Sequence, residues 1–239
     1  MNIVIDAGNS RIKWGVHDGS KWLDNGVLAT ADIAFLSEAA DEWPADARVV
    51  VCNVAGTEVG ESIAAQLPER RVGVSFLHAS AGVCGVRNAY EHPRQLGADR
   101  WAALIGARAR CDCACLVVSA GTATTVDLLD ATGLFRGGLI IPGFDLMRAA
   151  LASNTAQLPL ADGIFRAEPR NTMDAIVSGC LQAQLGAVER MFSAIAGEPG
   201  ARCLLTGGAV SPIAGLLQVP FVVADNLILE GLVRYADSL

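Results

Sequence analysis

The sequence predicts an α/β fold built from two related halves, and three observations predict it. First, a short glycine turn fed by an apolar strand occurs twice, as Ile3-Val4-Ile5-Asp6-Ala7-Gly8-Asn9-Ser10 and as Leu116-Val117-Val118-Ser119-Ala120-Gly121-Thr122-Ala123, with Gly8 and Gly121 113 positions apart. Second, Arg202-Cys203-Leu204-Leu205-Thr206-Gly207-Gly208-Ala209 repeats the buried strand and small-residue turn of Val49 to Gly56, so two features recur in one order, as a duplication requires. Third, paired strands alternate with crossover helices, which calls for mixed sheets in both halves, helices packed on them and an inter-domain cleft. The halves divide as 1–112 and 113–239, with no low-complexity linker between them.

Each element follows from local chemistry. Strand 2–6 is a short apolar run, Gly8 turns the chain, and strand 11–17 returns antiparallel to a second turn at Asp18-Gly19. A helix at 32–42 leads to the buried strand Val49-Val50-Val51-Cys52, then to a Gly56-Thr57 turn and a helix at 58–67 with Thr57 as its expected N-cap. A strand near 72–77 and a loop follow. Ahead of the second hairpin, Trp101, Leu104 and Ile105 mark the apolar stripe of a helix opening near Asp99. Strand 115–119, the Gly121 turn and strand 124–129 then repeat the opening, closed by a turn from Asp130 to Gly133, and a long helix runs over 174–196.

Composition narrows the function. At 239 residues and 52% hydrophobic, the chain has ample core for one compact unit or two domains of roughly a hundred residues each. Eighteen basic against 25 acidic residues, a net charge of -7, oppose a nucleic-acid footprint, which needs clustered Lys and Arg. Every apolar run breaks before the roughly 20 residues that cross a bilayer, and Met1-Asn2-Ile3-Val4-Ile5-Asp6 has none of the features of a secretion signal, so the expected location is cytoplasmic. Seven cysteines in a chain with a sufficient core are expected as free thiols. Cys111, Cys113 and Cys115 share a period of two but lack a nearby fourth ligand, and His17, His78 and His92 are scattered, so no metal ligand is assigned.

The doubled turn is a phosphate site by its chemistry. A glycine lets the backbone approach a ligand closely, and the small hydroxyl and amide side chains beside it donate to phosphate oxygens. Phosphoryl transfer needs such positioning, a cation against the phosphates and a base for the acceptor hydroxyl. Lys13 on the return strand either points its ammonium at the phosphates or is solvated. Asp6 either holds Mg2+ through water or forms an Asx-type turn. Asp99, in Gly97-Ala98-Asp99-Arg100, reads equally as a base and as an N-cap for the amides of Trp101 or Ala102. Arg100 has the fork geometry for a substrate carboxylate, or else pairs with a neighbouring acid.

These residues also carry a family resemblance. The doubled hairpin with a later Thr-Gly-Gly turn resembles the actin, sugar kinase and Hsp70 type of ATPase, a duplicated ribonuclease H-like fold whose Thr-Gly-Gly turn meets the adenosine. More narrowly, Asp6-Ala7-Gly8-Asn9-Ser10-Arg11-Ile12-Lys13, Leu96-Gly97-Ala98-Asp99-Arg100, Gly121-Thr122-Ala123-Thr124-Thr125-Val126-Asp127, Gly137-Gly138-Leu139-Ile140-Ile141-Pro142-Gly143 and Asn171-Thr172, in this order, resemble the type III pantothenate kinases, including their Bvg accessory factor-like branch. The resemblance implies ATP-dependent phosphorylation of (R)-pantothenate to 4'-phosphopantothenate, the first step toward coenzyme A. It implies ATP contacts over Asp6 to Lys13 and at Thr122, with Mg2+ on the ATP. It also implies a pantothenate pocket from Tyr90, Gly97, Ala98, Asp99, Arg100 and Thr172, with Asp99 taking the hydroxyl proton and a homodimer placing that pocket at the subunit interface. Read as residues alone, Tyr90 is equally a packing ring and Thr172 a helix cap.

One position departs from the pattern. Many relatives have an aspartate, tied to a monovalent cation, where this chain has Ser119, and a neutral hydroxyl is a weaker cation ligand than a carboxylate. Ammonium, potassium, an altered site or none are all open. Two other functions share the scaffold: a kinase for another small hydroxylated substrate, and a non-catalytic nucleotide-binding regulator, which would have no use for a proton acceptor at Asp99.

Overall fold

In the computed structural model, residues 1–67 and 73–239 are described. The chain opens with β1 (Asn2–Ala7), β2 (Arg11–His17) and β3 (Trp22–Ala29), an antiparallel meander. After a 3-10 turn over Thr30–Phe35 come α1 (Leu36–Asp41), β4 (Arg48–Asn53), α2 (Thr57–Gln66) and β5 (Val74–Phe76). The sheet order is β3-β2-β1-β4-β5, with β4 parallel to both neighbours, so an antiparallel start continues as a crossover-connected parallel sheet. Residue 72, the start of the expected strand 72–77, lies outside the described residues. The cap of α2 is Gly56, at φ +100, rather than Thr57, which is the first helical residue. Only a glycine enters that conformation without strain.

Ile3, Ile5 and Ala7 of β1 and Val49 and Val51 of β4 point to one face, where they form a core with Leu36, Trp43 and Ile63. The alternate residues, Val4, Asp6, Val50 and Cys52, therefore face the other side. After a short antiparallel pair, β6 (Gly82–Val83) and β7 (Val86–Asn88), the chain covers that side with α3 (Ala98–Arg110), which packs on β4.

The second half runs β8 (Cys115–Ala120), β9 (Ala123–Leu129), β10 (Leu134–Pro142), α4 (Phe144–Asn154), α5 (Thr172–Phe192), β11 (Arg202–Thr206), α6 (Val210–Ala214) and β12 (Phe221–Val223). Its strands are ordered β12-β11-β8-β9-β10, with β8 and β9 antiparallel and β11 parallel to both β8 and β12. Leu116, Val118, Val126, Leu128, Cys203 and Leu205 meet Leu185, Val188 and Phe192 of α5 in a second core. The last helix, α7 (Leu227–Ala236), packs on α3, β1 and β4.

Two compact units result: residues 1–112 with Gly133–Phe135 and Asn226–Leu239, and residues 113–132 with Arg136–Asp225. In the first, α3 and α7 cross with their backbones nearly touching. A Cβ on Gly231 would sit 1.8 Å from Ala102 O, and one on Gly106 2.2 Å from Leu227 O. A two-point ion pair from Arg110 to Glu230 fastens the same helices.

The thiols depart from expectation at one place. Cys111 and Cys113 are disulfide-bonded, whereas Cys52, Cys84, Cys115, Cys180 and Cys203 are free. Among the described residues no group of three or more His, Cys, Asp or Glu is placed to hold a metal ion, and no helix is long and apolar enough to cross a membrane.

Candidate active site

The first hairpin positions its charges by strand register. Gly8 N–H donates to Arg11 O at 3.0 Å, closing the turn, and Asp6 pairs directly with Lys13 across β1 and β2. Directly paired residues project to the same face, so the carboxylate and the ammonium stand together. Asp6 also registers with Cys52 on the parallel neighbour, and the two lie on the face that α3 covers. Asn9 and Ser10 are exposed on the turn, as is Arg11 where the return strand begins, while Ala7 and Ile12 are buried in the core beneath.

Asp99 enters from the first turn of α3. Gly97 is the N-cap, and Trp101 N–H donates to Gly97 O, so the capping role weighed for Asp99 falls to its neighbour. Asp99 instead accepts from the Arg100 amide at 2.8 Å through Oδ1. A Cβ at Gly97 would lie 2.6 Å from that oxygen, which explains a small residue there. Ala98, the first helical residue, is half-buried.

Both carboxyls are raised by burial, and Asp6 also by the charge of Asp99. Burial, then the charge of Asp99, push the Asp6 carboxyl up to about 7, against the lowering effect of Lys13. Burial likewise raises Asp99 above the usual carboxylate range, outweighing the Arg100 amide and guanidinium. Burial first, then the charges of Asp6 and Asp99, push the Cys52 thiol well up, so it stays protonated at the floor of this pair. Carboxyls whose proton affinity is raised by burial are suited to proton-transfer chemistry.

Arg100 is 6% exposed, and its guanidinium is held by aromatic rings. One nitrogen donates to Tyr90 Oη at 3.2 Å, and its carbon lies 5.8 Å from the centroids of both Tyr90 and Phe135. Those rings pack 5.2 Å apart. Asn88 orders the loop beneath them by accepting from Tyr90 N–H at 3.0 Å and donating to Pro93 O at 3.2 Å. The ring of Tyr90 thus packs while its hydroxyl reaches the motif arginine. Phe135 was not found from sequence, because it reaches the motif through the pairing of Leu134 and Phe135 with Arg87 and Asn88, which no local pattern announces.

The second hairpin is shorter. Ala7 pairs with Ile12 around four turn residues, 8 to 11, whereas Ala120 pairs with Thr124 around three, 121 to 123. The position opposite Ser119 is therefore Thr125 and not Val126, which a constant offset of 113 predicts as the counterpart of Lys13. Ser119 also registers with Thr206 of β11, giving a rung of three hydroxyl residues. Asp127, 1% exposed, lies one pleat from Thr125 on the same face. Thr122 is exposed on the turn. The Thr206-Gly207-Gly208 turn closes on the same hairpin: Ala209 N–H donates to Ala120 O at 3.1 Å, and Gly207, at φ +103, would put a Cβ 2.1 Å from that oxygen.

Thr172 lies in the second unit, away in sequence from the motif of α3. The cap of α5 is Asn171, which accepts from Asp174 N–H at 2.9 Å, so Thr172 is free of the capping role weighed for it. It borders an apolar groove of about 1120 Å³ between α4 and α5, lined among others by Leu146, Leu151, Gly179 and Ala183.

Comparison with known proteins identifies the family. The model of the family described as type III pantothenate kinase matches residues 2–194. A type III pantothenate kinase of Aromatoleum aromaticum is 58% identical over 97% of this chain and 96% of its own length, and one of Dechloromonas aromatica is 50% identical over 97% of each. Among solved structures, a Sinorhizobium meliloti protein assigned as a 2-dehydro-3-deoxygalactonokinase superposes with a TM-score of 0.65 at 17% identity, covering 100% of this chain and 99% of its own. A Campylobacter jejuni protein assigned to the Baf family of transcriptional activators gives the same score at 19% identity, covering 99% of this chain and 100% of its own. The two structures establish the α/β fold, and the family model with the two relatives establishes that the chain belongs to the type III pantothenate kinase family.

Proposed function

We propose that the chain transfers the γ-phosphoryl group of ATP to the 4'-hydroxyl of (R)-pantothenate, giving 4'-phosphopantothenate for coenzyme A synthesis in the cytoplasm. The observation that carries this reading is Asp99, a half-buried carboxylate fixed by the Arg100 amide at the start of α3, with its proton affinity raised by burial. Asp99 accepts the hydroxyl proton as the oxygen attacks in line. Gly97 gives that carboxylate room, and Arg100 with Tyr90 receives the substrate carboxylate by a charge-assisted pair.

Asn9, Ser10 and Lys13 hold the phosphates, with the backbone of Asp6 to Ile12 shaping the turn and Thr122 contributing from the second hairpin. Mg2+ accompanies ATP, where it neutralises phosphate charge. The Asp6 carboxylate is an oxygen ligand suited to that hard cation, whose charge offsets the proximity of Asp99. The hydroxyl rung at Ser119 replaces the carboxylate that holds a monovalent cation in relatives, and we read cation dependence as relaxed.

The chain acts as a homodimer through the α4–α5 groove, which brings Thr172 of one copy to the pantothenate of the other. Exposed Leu146 and Leu151 beside small Gly179 and Ala183 suit a self-complementary contact. The experiment is a coupled ADP-release assay with pantothenate, sugars and acetate as acceptors, repeated in ammonium, potassium and sodium. Turnover with pantothenate alone, within a few-fold across the three cations, is expected. Preference for a sugar or acetate overturns the substrate, and a strict potassium requirement overturns the cation reading.

A further inference from the structure

We infer that Gln184 of α5 is a positioning residue for nucleotide binding, acting through the corner at Pro142 and Gly143 on the second phosphate hairpin. The inference rests on the kinase reading for its readout. Gln184 is fully buried, and its Nε2 donates to Pro142 O at 2.6 Å and lies 3.6 Å from Met147 Sδ. One residue on, Gly143 N–H donates to Thr122 O at 2.9 Å. The approach there is as close as backbones come: a Cβ on Gly143 would sit 2.1 Å from Gly121 O and 2.6 Å from Thr122 O. An unbroken set of contacts thus runs from the side chain of Gln184 to Gly121 and Thr122, the hairpin residues that the kinase reading sets against the phosphates.

The energetics single out the donor. Gln184 Oε1 has no hydrogen-bond partner among the described residues although it is buried. A half-satisfied buried amide is a poor way to fill space, since desolvating an unpaired polar atom is costly and a methionine has nearly the same shape without that cost. What the amide provides that an apolar side chain cannot is the bond to Pro142 O. Pro142, Met147, Cys180 and Ala183 also line the α4–α5 groove, so the same corner joins that groove to the hairpin.

The test is the dissociation constant for ATP, by titration calorimetry, of the wild type, Gln184→Met and Gln184→Glu, with thermal melts to show that each is folded. Gln184→Met removes the donor and the orphaned oxygen together. Its melting temperature is expected at or slightly above that of the wild type, with ATP bound about three- to tenfold more weakly, the loss of one modest hydrogen bond. In Gln184→Glu the buried carboxyl stays protonated and still donates to Pro142 O, keeping the constant within about twofold. Gln184→Leu serves if the methionine variant does not fold. Unchanged ATP binding in the folded apolar variant, or equal weakening in the apolar and Glu variants, overturns the inference. A wild type that binds no ATP would overturn the kinase reading itself, which separates the two failures.

Discussion

At the scale of single residues, the site is built from groups whose surroundings oppose their charges. Asp6 illustrates the conflict: its carboxyl is held at about 7 by burial and by Asp99, well above its unfolded value of about 3.9. Between those two values the folded chain binds the proton more tightly than the unfolded chain, so ionisation of Asp6 withdraws stability as pH rises toward 7. Asp6→Asn is therefore expected to raise the melting temperature at pH 8 by several degrees and to change it little at pH 3.5, while phosphoryl transfer falls. An equal shift at both values would show that Asp6 is not strained by its charge. Much of this site was legible as residue types, since a glycine turn, a lysine on the return strand and an Asp-Arg pair opening a helix are local patterns. The supporting partners were not. Phe135 reaches Arg100 by strand pairing, Cys52 reaches Asp6 by a parallel register, and both relations exist only once the sheet has formed.

Among elements, those with a plain period or punctuation were readable and those set by tertiary contact were not. The two hairpins, β4, α3 and α5 followed from apolar runs closed by glycine or caps. The strand β3 carries Asp24-Asn25-Gly26 in its middle, residues that read as a turn, yet it extends because Trp14 lies across Gly26, where a Cβ would come within 2.3 Å of the ring. The shortened second hairpin was hidden for a similar reason, since only the register shows that Thr125, not Val126, stands opposite Ser119. The α3–α7 crossing yields a prediction at this scale. Gly231→Ala puts a methyl group against the Ala102 carbonyl and forces the helices apart, at about 1–3 kcal/mol. Because α3 carries Asp99 and Arg100, chemical denaturation should show the loss of stability and the assay a loss of turnover. A variant of wild-type stability would mean that the crossing yields without strain.

For the whole molecule, composition and the doubled hairpin sufficed for the α/β class, and the family match accords with that reading. The return of the last helix to the first unit lay beyond sequence order, because α7 covers β1, a strand laid down more than two hundred residues earlier. Assembly belongs to this scale as well. Light scattering is expected to give a dimer, and Ala183→Arg, which sets a charge in the apolar groove, a monomer with weakened pantothenate binding; a wild-type monomer at assay concentration would remove the shared pocket. The proposed function turns on the carboxylate at the start of α3 receiving the proton from pantothenate. Asp99→Asn keeps the shape and removes the base, so the coupled assay should lose about 10²- to 10⁴-fold in kcat while ATP affinity stays near that of the wild type. Turnover equal to the wild type would mean that Asp99 is not the base.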